Sequence, residues 1–214
     1  MLDDQGFALD QVLTLAPGRA HEFCGPARRV LAVWAMPGAA PVLWLRLSHN
    51  PDRISPQGLA DWADPGGVIW AESPRPSELL ACAEDGLRSG ACALVVVDLA
   101  EPVAMTPLRR LHLAAESGLA RRRARNPAAN LRALVLTPGD GGTPGVESRW
   151  HMAACPARGT TPADPVGMAW RLTRARARMA PPASWHVQRD GGHLWLEGLD
   201  EPATGAAART GASG

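Results

Sequence analysis

A chain of 214 residues, 46% of them hydrophobic, is long enough to bury the core of one α/β domain with appendages. Its formal net charge of +1 carries no bulk polyanion-binding signature, and no apolar run approaches the roughly 20 residues needed to span a bilayer. The opening MLDDQGFALD is acidic and lacks the basic-then-apolar order of a secretion signal, so a cytoplasmic protein with no membrane partner is expected.

All 22 basic residues are arginine, and lysine and tyrosine are absent. Genomic base-composition bias accounts for most of this, but any phosphate site in the chain has to work without a lysine ammonium. Cys24, Cys82, Cys92 and Cys155 form no CxxC pair and have no histidine at zinc-ligand spacing. They read as small buried hydrophobes, and no metal is expected.

In chain order, Gly18 to Pro26 reads as a short strand running into a Gly-Pro turn. Arg28 to Met36 has the apolar spacing of a helix ended by Pro37-Gly38. The run Val42 to Leu47 is short and wholly apolar but for Arg46, as a strand buried on both faces should be. Pro56 to Trp62 reads as a helical turn and Gly67 to Trp70 as a further strand. Ser77 is placed as the N-cap of a helix through Arg88, with Leu79, Ala83 and Leu87 on one face and Gly90 ending it.

Ala91 to Asp98 is a β-branched run closing on a carboxylate, the clearest strand in the chain. Pro107 to Gly118 is an amphipathic helix with Leu108, Leu111, Ala115 and Leu119 inward, and Leu131 to Leu136 is the next strand. Pro138 to Gly145 is so rich in glycine and proline that a mobile loop is expected. Ala169 to Arg178 and Trp185 to Glu197 alternate as an antiparallel pair, turned at Asp190-Gly191-Gly192. The alternation of strands and helices implies βαβ units and a mostly parallel central sheet flanked by helices, with an antiparallel C-terminal edge. The division is an N-terminal extension over 1–17, a core domain over 18–200 and a disordered Ala/Gly-rich tail over 201–214.

Three stretches occur in the order of a RecA-type core. Gly18 to Gly25 resembles the strand leading into the phosphate loop, Leu87 to Asp98 the helix end and Walker B strand, and Leu131 to Thr137 the core strand that follows. Within that superfamily the chain resembles the ImuA family, through Pro107 to Gly118, Trp170-Arg171-Leu172 with its arginine-rich continuation, and Trp185-His186-Val187. The resemblance implies a RecA-like fold and a role in SOS-induced lesion bypass. The implied partners are an inactive Y-family polymerase homologue, a DnaE-type polymerase or RecA. The family's distant likeness to the division inhibitor SulA supplies the alternative: a regulator that binds a cell-division protein.

The nucleotide chemistry has been stripped from this framework. A phosphate loop needs a glycine turn, a lysine for the β/γ charges and a hydroxyl for magnesium. Here Gly25-Pro26-Ala27-Arg28-Arg29 keeps the first glycine but has no second glycine, lysine or Ser/Thr, and Pro26 removes an N–H donor. Arg28 or Arg29 could attract an anion, though a guanidinium is not a compact ammonium. By the resemblance, the catalytic glutamate should follow Leu47, where the chain reads Ser48-His49-Asn50, and the γ-phosphate-sensing glutamine falls near Thr137-Pro138. Only Asp98 survives, as a metal-binding Walker B carboxylate or as a strand cap. No ATP hydrolysis and no cofactor are expected; residual ATP binding through Asp98 and Arg28 or Arg29 is the third reading.

Arg121, Arg122, Arg123 and Arg125 follow the amphipathic helix, as contacts to DNA phosphates or an acidic partner, or as a solvated basic loop. Arg174, Arg176 and Arg178 alternate in a strand and are expected to share one face. Arg149, Trp150 and His151 follow the Gly/Pro loop where RecA proteins contact DNA, and there Trp150 either stacks on a base or is buried at a strand start. Six histidines form no triad or metal spacing, and no G-x-S-x-G elbow is present. The eight tryptophans read mostly as core, with some marking an interaction surface.

Overall fold

The computed structural model describes residues 9–157, 168–190 and 193–199. In it a short α1 (Leu9–Val12) is followed by β1 (Ala20–Cys24), α2 (Arg28–Trp34), β2 (Val42–Leu47), α3 (Pro56–Ala60) and, after a 3-10 turn, β3 (Val68–Ser73). Then come α4 (Pro76–Ser89), β4 (Leu94–Asp98), α5 (Met105–Arg125), β5 (Arg132–Thr137) and β6 (Ser148–Cys155). The described chain closes with β7 (Ala169–Ala177), β8 (Ala183–Asp190) and β9 (His193–Leu199).

Among the described residues these strands form one sheet, ordered β3-β2-β4-β5-β1-β6-β7-β8-β9. The pairs from β3 through β6 are parallel and those from β6 through β9 antiparallel, so the expected mixed α/β architecture is present. β1, β2 and β4 are buried along their whole length, which is why β2 and β4 are nearly continuous apolar runs rather than alternating ones, while β1 carries His21 and Glu22 into the interior. Alternate residues feed two cores. Leu31, Trp34 and Leu59 from α2 and α3 pack with Trp44, Val96 and Leu134 on one face. Leu79, Leu87, Leu108 and Leu111 from α4 and α5 pack with Leu45, Val95 and Val135 on the other. Each such fully buried aliphatic side chain contributes roughly 1.5–3 kcal/mol, so the two layers hold the sheet between them.

Several boundaries differ from expectation. Ser77 does not cap α4: Arg75 holds the N-cap position and Pro76 the first turn, where its missing N–H costs nothing. Gly90, left-handed at φ 67°, does end that helix. α5 does not stop at Gly118 but continues through Arg125, placing the arginine cluster on its last turns rather than in a loop. A Cβ on Gly118 would sit 1.8 Å from the Leu87 carbonyl oxygen, so this glycine lets two helices touch instead of ending one. The second late run resolves into two strands, β8 and β9, giving three antiparallel strands in place of a pair; Gly191 and Gly192 lie outside the described residues. Residues 1–8 of the N-terminal extension and the tail beyond 200 lie outside them too. No helix among the described residues is long and apolar enough to cross a membrane.

Candidate functional site

The chain leaves β1 toward the α2 face and leaves β4 toward the α5 face, and β5 lies between these two strands. A crevice at the strands' C-terminal ends, where connections diverge to opposite faces, is where an open α/β sheet receives its ligand. Gly25, Asp98 and the arginines of α2 meet there, as the sequence placed them.

The turn from β1 to α2 is only three residues long. Gly25 has φ 88°, and a Cβ there would lie 2.5 Å from the Met152 carbonyl oxygen, so only glycine fits. The Ala27 amide donates to Met152 O at 3.0 Å and the Arg28 amide to Gly25 O at 3.3 Å, while Pro26 has no amide to offer. The Ala27 and Arg28 amides are thus committed to the protein rather than to a ligand.

Asp98, 3% exposed at the end of β4, is held by the same segment. Arg29 Nε donates to Asp98 Oδ2 at 2.5 Å, and Arg29 Nη1 reaches Asp52 Oδ2 at 2.6 Å. Arg28 Nε stands 3.8 Å from Asp98 Oδ1 while its Nη1 donates to Gly25 O. Behind this pair Arg46, on β2 in register with Asp98, is 4% exposed. It donates to Glu72 at 3.0 Å, to Asn50 O at 2.9 Å and to the Asp52 carbonyl, fixing the loop that presents Asp52 to Arg29. Asp98 is therefore more than a strand cap: it anchors two guanidinium groups in the volume that a metal and phosphates would need.

The Gly/Pro loop after β5 is not free. Glu22, fully buried in the middle of β1, accepts from Thr143 Oγ1 at 2.7 Å, Thr137 Oγ1 at 2.8 Å, and the amides of Gly142 and Thr143 at 3.1 Å. Arg149 Nε closes the shell with an ion pair to the same carboxylate, and its Nη2 donates to Thr143 O at 2.9 Å. Burial alone would push the Glu22 carboxyl up, but the bonds from Arg149, Thr143 and Thr137 hold it below the usual range. The expected mobile loop is thus pinned, because a buried carboxylate collects its amides and hydroxyls.

Two histidines pin the neighbouring segments. Trp150 Nε1 donates to Ser148 Oγ at 2.9 Å, and Ser148 Oγ lies 2.7 Å from His21 Nδ1. His21 Nε2 lies 3.1 Å from the Ala16 carbonyl, which can only accept, so Nε2 carries the proton and Nδ1 accepts from the serine. Burial pushes the His21 pKa down to about 4. His112 of α5 accepts from the Ala20 amide and donates to Gly145 O, both at 3.2 Å, and burial lowers its pKa too.

The arginines expected at an interface separate into structural and available groups. Trp150 is fully buried and offers no face to a base, and Arg149 is consumed by Glu22, so that pair leaves the list of contact candidates. The β6–β7 pairing shifts register between Arg149 and Trp150, so Arg174 faces Trp150 while Arg176 faces Arg149. The bulge splits the supposed single row across both faces of the sheet. Arg174 lies over the Trp150 and Trp185 rings, 5.6 and 5.1 Å from their centroids, and donates to Pro181 O. Arg122 caps the α4 end through the carbonyls of Gly90 and Ala91. Arg121, Arg123 and Arg125 remain exposed on the last turns of α5.

Arg176 and Arg178 instead meet Arg109, a residue the sequence reading did not single out, around a groove of about 660 Å³ on the α5 face. His112 and Glu147 also line it. All three arginines are exposed and have no carboxylate partner among the described residues. Arg109 was not legible because its neighbour Arg110, one residue on, pairs with Glu84 and looks the same in sequence. Glu22 carried a readable signal, a charge in the middle of a buried strand. Of the cysteines, Cys24 and Cys92 are buried as expected and burial pushes the Cys24 thiol up to about 12, whereas Cys82 is exposed.

No family model matches the chain, and no curated protein is a significant match.

Proposed function

We propose that the chain is a non-catalytic, RecA-like adaptor of the ImuA kind, acting in SOS-induced translesion synthesis by docking a polymerase-complex protein or RecA. The observation that carries the non-catalytic half is the occupation of the crevice by its own arginines. Oδ2 of the carboxylate that would hold magnesium is bound by Arg29, and the Ala27 and Arg28 amides are spent on Met152 and Gly25. Magnesium bound with a nucleotide would have to displace Arg29 from Asp98, and no lysine is present to hold the phosphates.

The docking half draws support from the basic groove. Arg109, Arg176 and Arg178, which have no carboxylate partner among the described residues, face outward around one concavity, while Arg121 and Arg125 add positive charge on α5, the helix that carries Arg109. Such a surface suits an acidic protein face or a phosphate backbone, and arginine is well represented at binding hot spots.

The test is direct binding of the purified chain to RecA, to a DnaE-type polymerase, to the inactive Y-family homologue and to a single-stranded oligonucleotide. With exposed ion pairs at about 0.5–1 kcal/mol each, R109E/R176E/R178E is expected to weaken the relevant complex roughly tenfold or more. Unchanged affinity removes the groove from the account. Binding to a division protein alone would replace the adaptor reading with the SulA-like one.

A further inference from the structure

The walls of the basic groove differ in ways that bear on what it can receive. One wall is a stripe of α5, Arg109, His112, Leu113 and Glu116, at the 3–4 residue spacing that sets side chains beside one another. The other is formed by Gly145 to Glu147 and by Arg176 and Arg178 around the end of β7, fastened by the Arg178 amide to Glu147 O at 3.1 Å. Arg19 pairs with Glu116 and lies 3.9 Å from Glu147, so both lining acids share one internal partner. His112 adds no charge, because burial lowers its pKa and its ring nitrogens are taken by the Ala20 amide and Gly145 O. Arg109, Arg176 and Arg178 are left to attract an anion.

Apolar side chains interleave with these arginines. Leu113, one turn on from Arg109, is 65% exposed, and Met179, directly after Arg178, is 89% exposed. Met105, 39% exposed and one turn before Arg109, has its sulfur 3.1 Å from where a Cβ on Gly145 would lie. Exposed apolar side chains gathered inside a polar rim mark a protein-binding surface. No tryptophan or phenylalanine is among the described residues lining the groove, so no such ring is offered to a base. A polynucleotide also carries a charge at every nucleotide and would set phosphates against Glu116 or Glu147. A peptide can keep its acids to the arginines and place apolar residues elsewhere.

Given the groove as the docking surface, we propose that it takes a short acidic protein segment in preference to nucleic acid. The segment's carboxylates pair with Arg109, Arg176 and Arg178, and one of its aliphatic side chains packs on Leu113. The planar fork of each guanidinium suits a carboxylate, which it can hold through both oxygens. Leu113 supplies the contact that charge alone cannot, and so separates a chosen acidic segment from any polyanion.

The probes are fluorescein-labelled peptides GDEDLLEDEG and GDEDSSEDEG and an oligo-thymidylate of about 20 nucleotides, titrated by anisotropy into the full chain at physiological salt. The leucine peptide is expected to bind more tightly than either of the others, by roughly fivefold or more. Leu113→Ser should remove the preference for leucine over serine and leave the fold intact, because that side chain is mostly in water. R109E/R176E/R178E should weaken the leucine peptide by roughly tenfold or more. No binding of the leucine peptide at millimolar concentration, or a leucine preference that survives L113S, would overturn the proposal. Oligonucleotide binding at least as tight as the peptide's and lost in the triple reversal would overturn it too, while leaving the groove as a docking surface for nucleic acid. The expected peptide pattern without binding of RecA or polymerase-complex proteins would uphold the acidic-segment site and remove the adaptor reading instead.

Discussion

Arg29 and Asp98 come from segments 69 residues apart and meet at 2.5 Å, with Asp98 almost wholly buried and Arg29 also held by Asp52. The pair sits where the sheet's topology opens a ligand crevice, and it closes that crevice from within. A metal taking both oxygens of this carboxylate would have to displace the charge-assisted bond that Arg29 already makes to Oδ2.

Removing one partner should show how firmly the crevice is locked. Arg29→Ala leaves Asp98 buried with only Arg28 at 3.8 Å, and breaking a buried pair in this way costs about 3 kcal/mol. Because Arg29 is partly solvated, the pair's net contribution is smaller than that loss. R29A combined with D98N should therefore recover part of the stability, and a double-mutant cycle in urea should give a coupling of ~1–2 kcal/mol. Additive single effects would mean that the two side chains do not interact in solution.

Glu22→Gln tests the pinned loop. The amide keeps the shape but loses the charge opposite Arg149 and turns two acceptor oxygens into one acceptor and one donor facing Thr143 and Gly142. The expected loss is on the order of 3 kcal/mol, with amide exchange at Gly142 and Thr143 accelerated beyond the global change. Protection there equal to the parent chain's would show that the loop's order does not depend on Glu22.

His21 predicts an acid-sensitive fold. Its folded pKa of about 4 lies below the 6.5 of an unfolded histidine, so between these values the unfolded chain binds a proton that the folded chain refuses. Stability is full above pH 6.5 and falls as pH drops toward 4, by on the order of 3 kcal/mol at 1.36 kcal/mol per pH unit. Glu22 adds loss at lower pH, because the contribution of its depressed carboxyl is present above the unfolded pKa and drains away as pH falls from there through the folded pKa. Chemical denaturation of wild type and His21→Asn at pH 7, 6, 5 and 4.5 should show the variant's slope shallower by about one proton. Parallel slopes would place the acid sensitivity elsewhere.

The strand framework was legible where burial on both faces leaves a continuous apolar run, as in Val42–Leu47 and Leu94–Asp98. The inward faces of α4 and α5 were legible from their 3–4 residue spacing. What failed were features set by tertiary contact. Gly118 looked like a helix end because its need for contact with the Leu87 carbonyl lies outside the local sequence. Alternation put Arg174 and Arg176 together because a bulge leaves no mark on a run of Arg-Ala repeats. The absence of a lysine, a second glycine and a hydroxyl at Gly25 to Arg29 was visible in the residue types, but that Arg29 pairs with Asp98 depended on the fold.

The most direct test of a crevice closed by its own arginines is the melting temperature of the full chain with 5 mM ATP and 10 mM magnesium. Binding at Kd equal to the free ligand concentration would stabilise the fold by about 0.4 kcal/mol, and at one hundredth of it by about 2.7 kcal/mol. The account predicts no shift with ATP or ADP in the parent chain. A saturable rise of several degrees that disappears in Asp98→Asn would show that nucleotide and metal displace Arg29, and would contradict it.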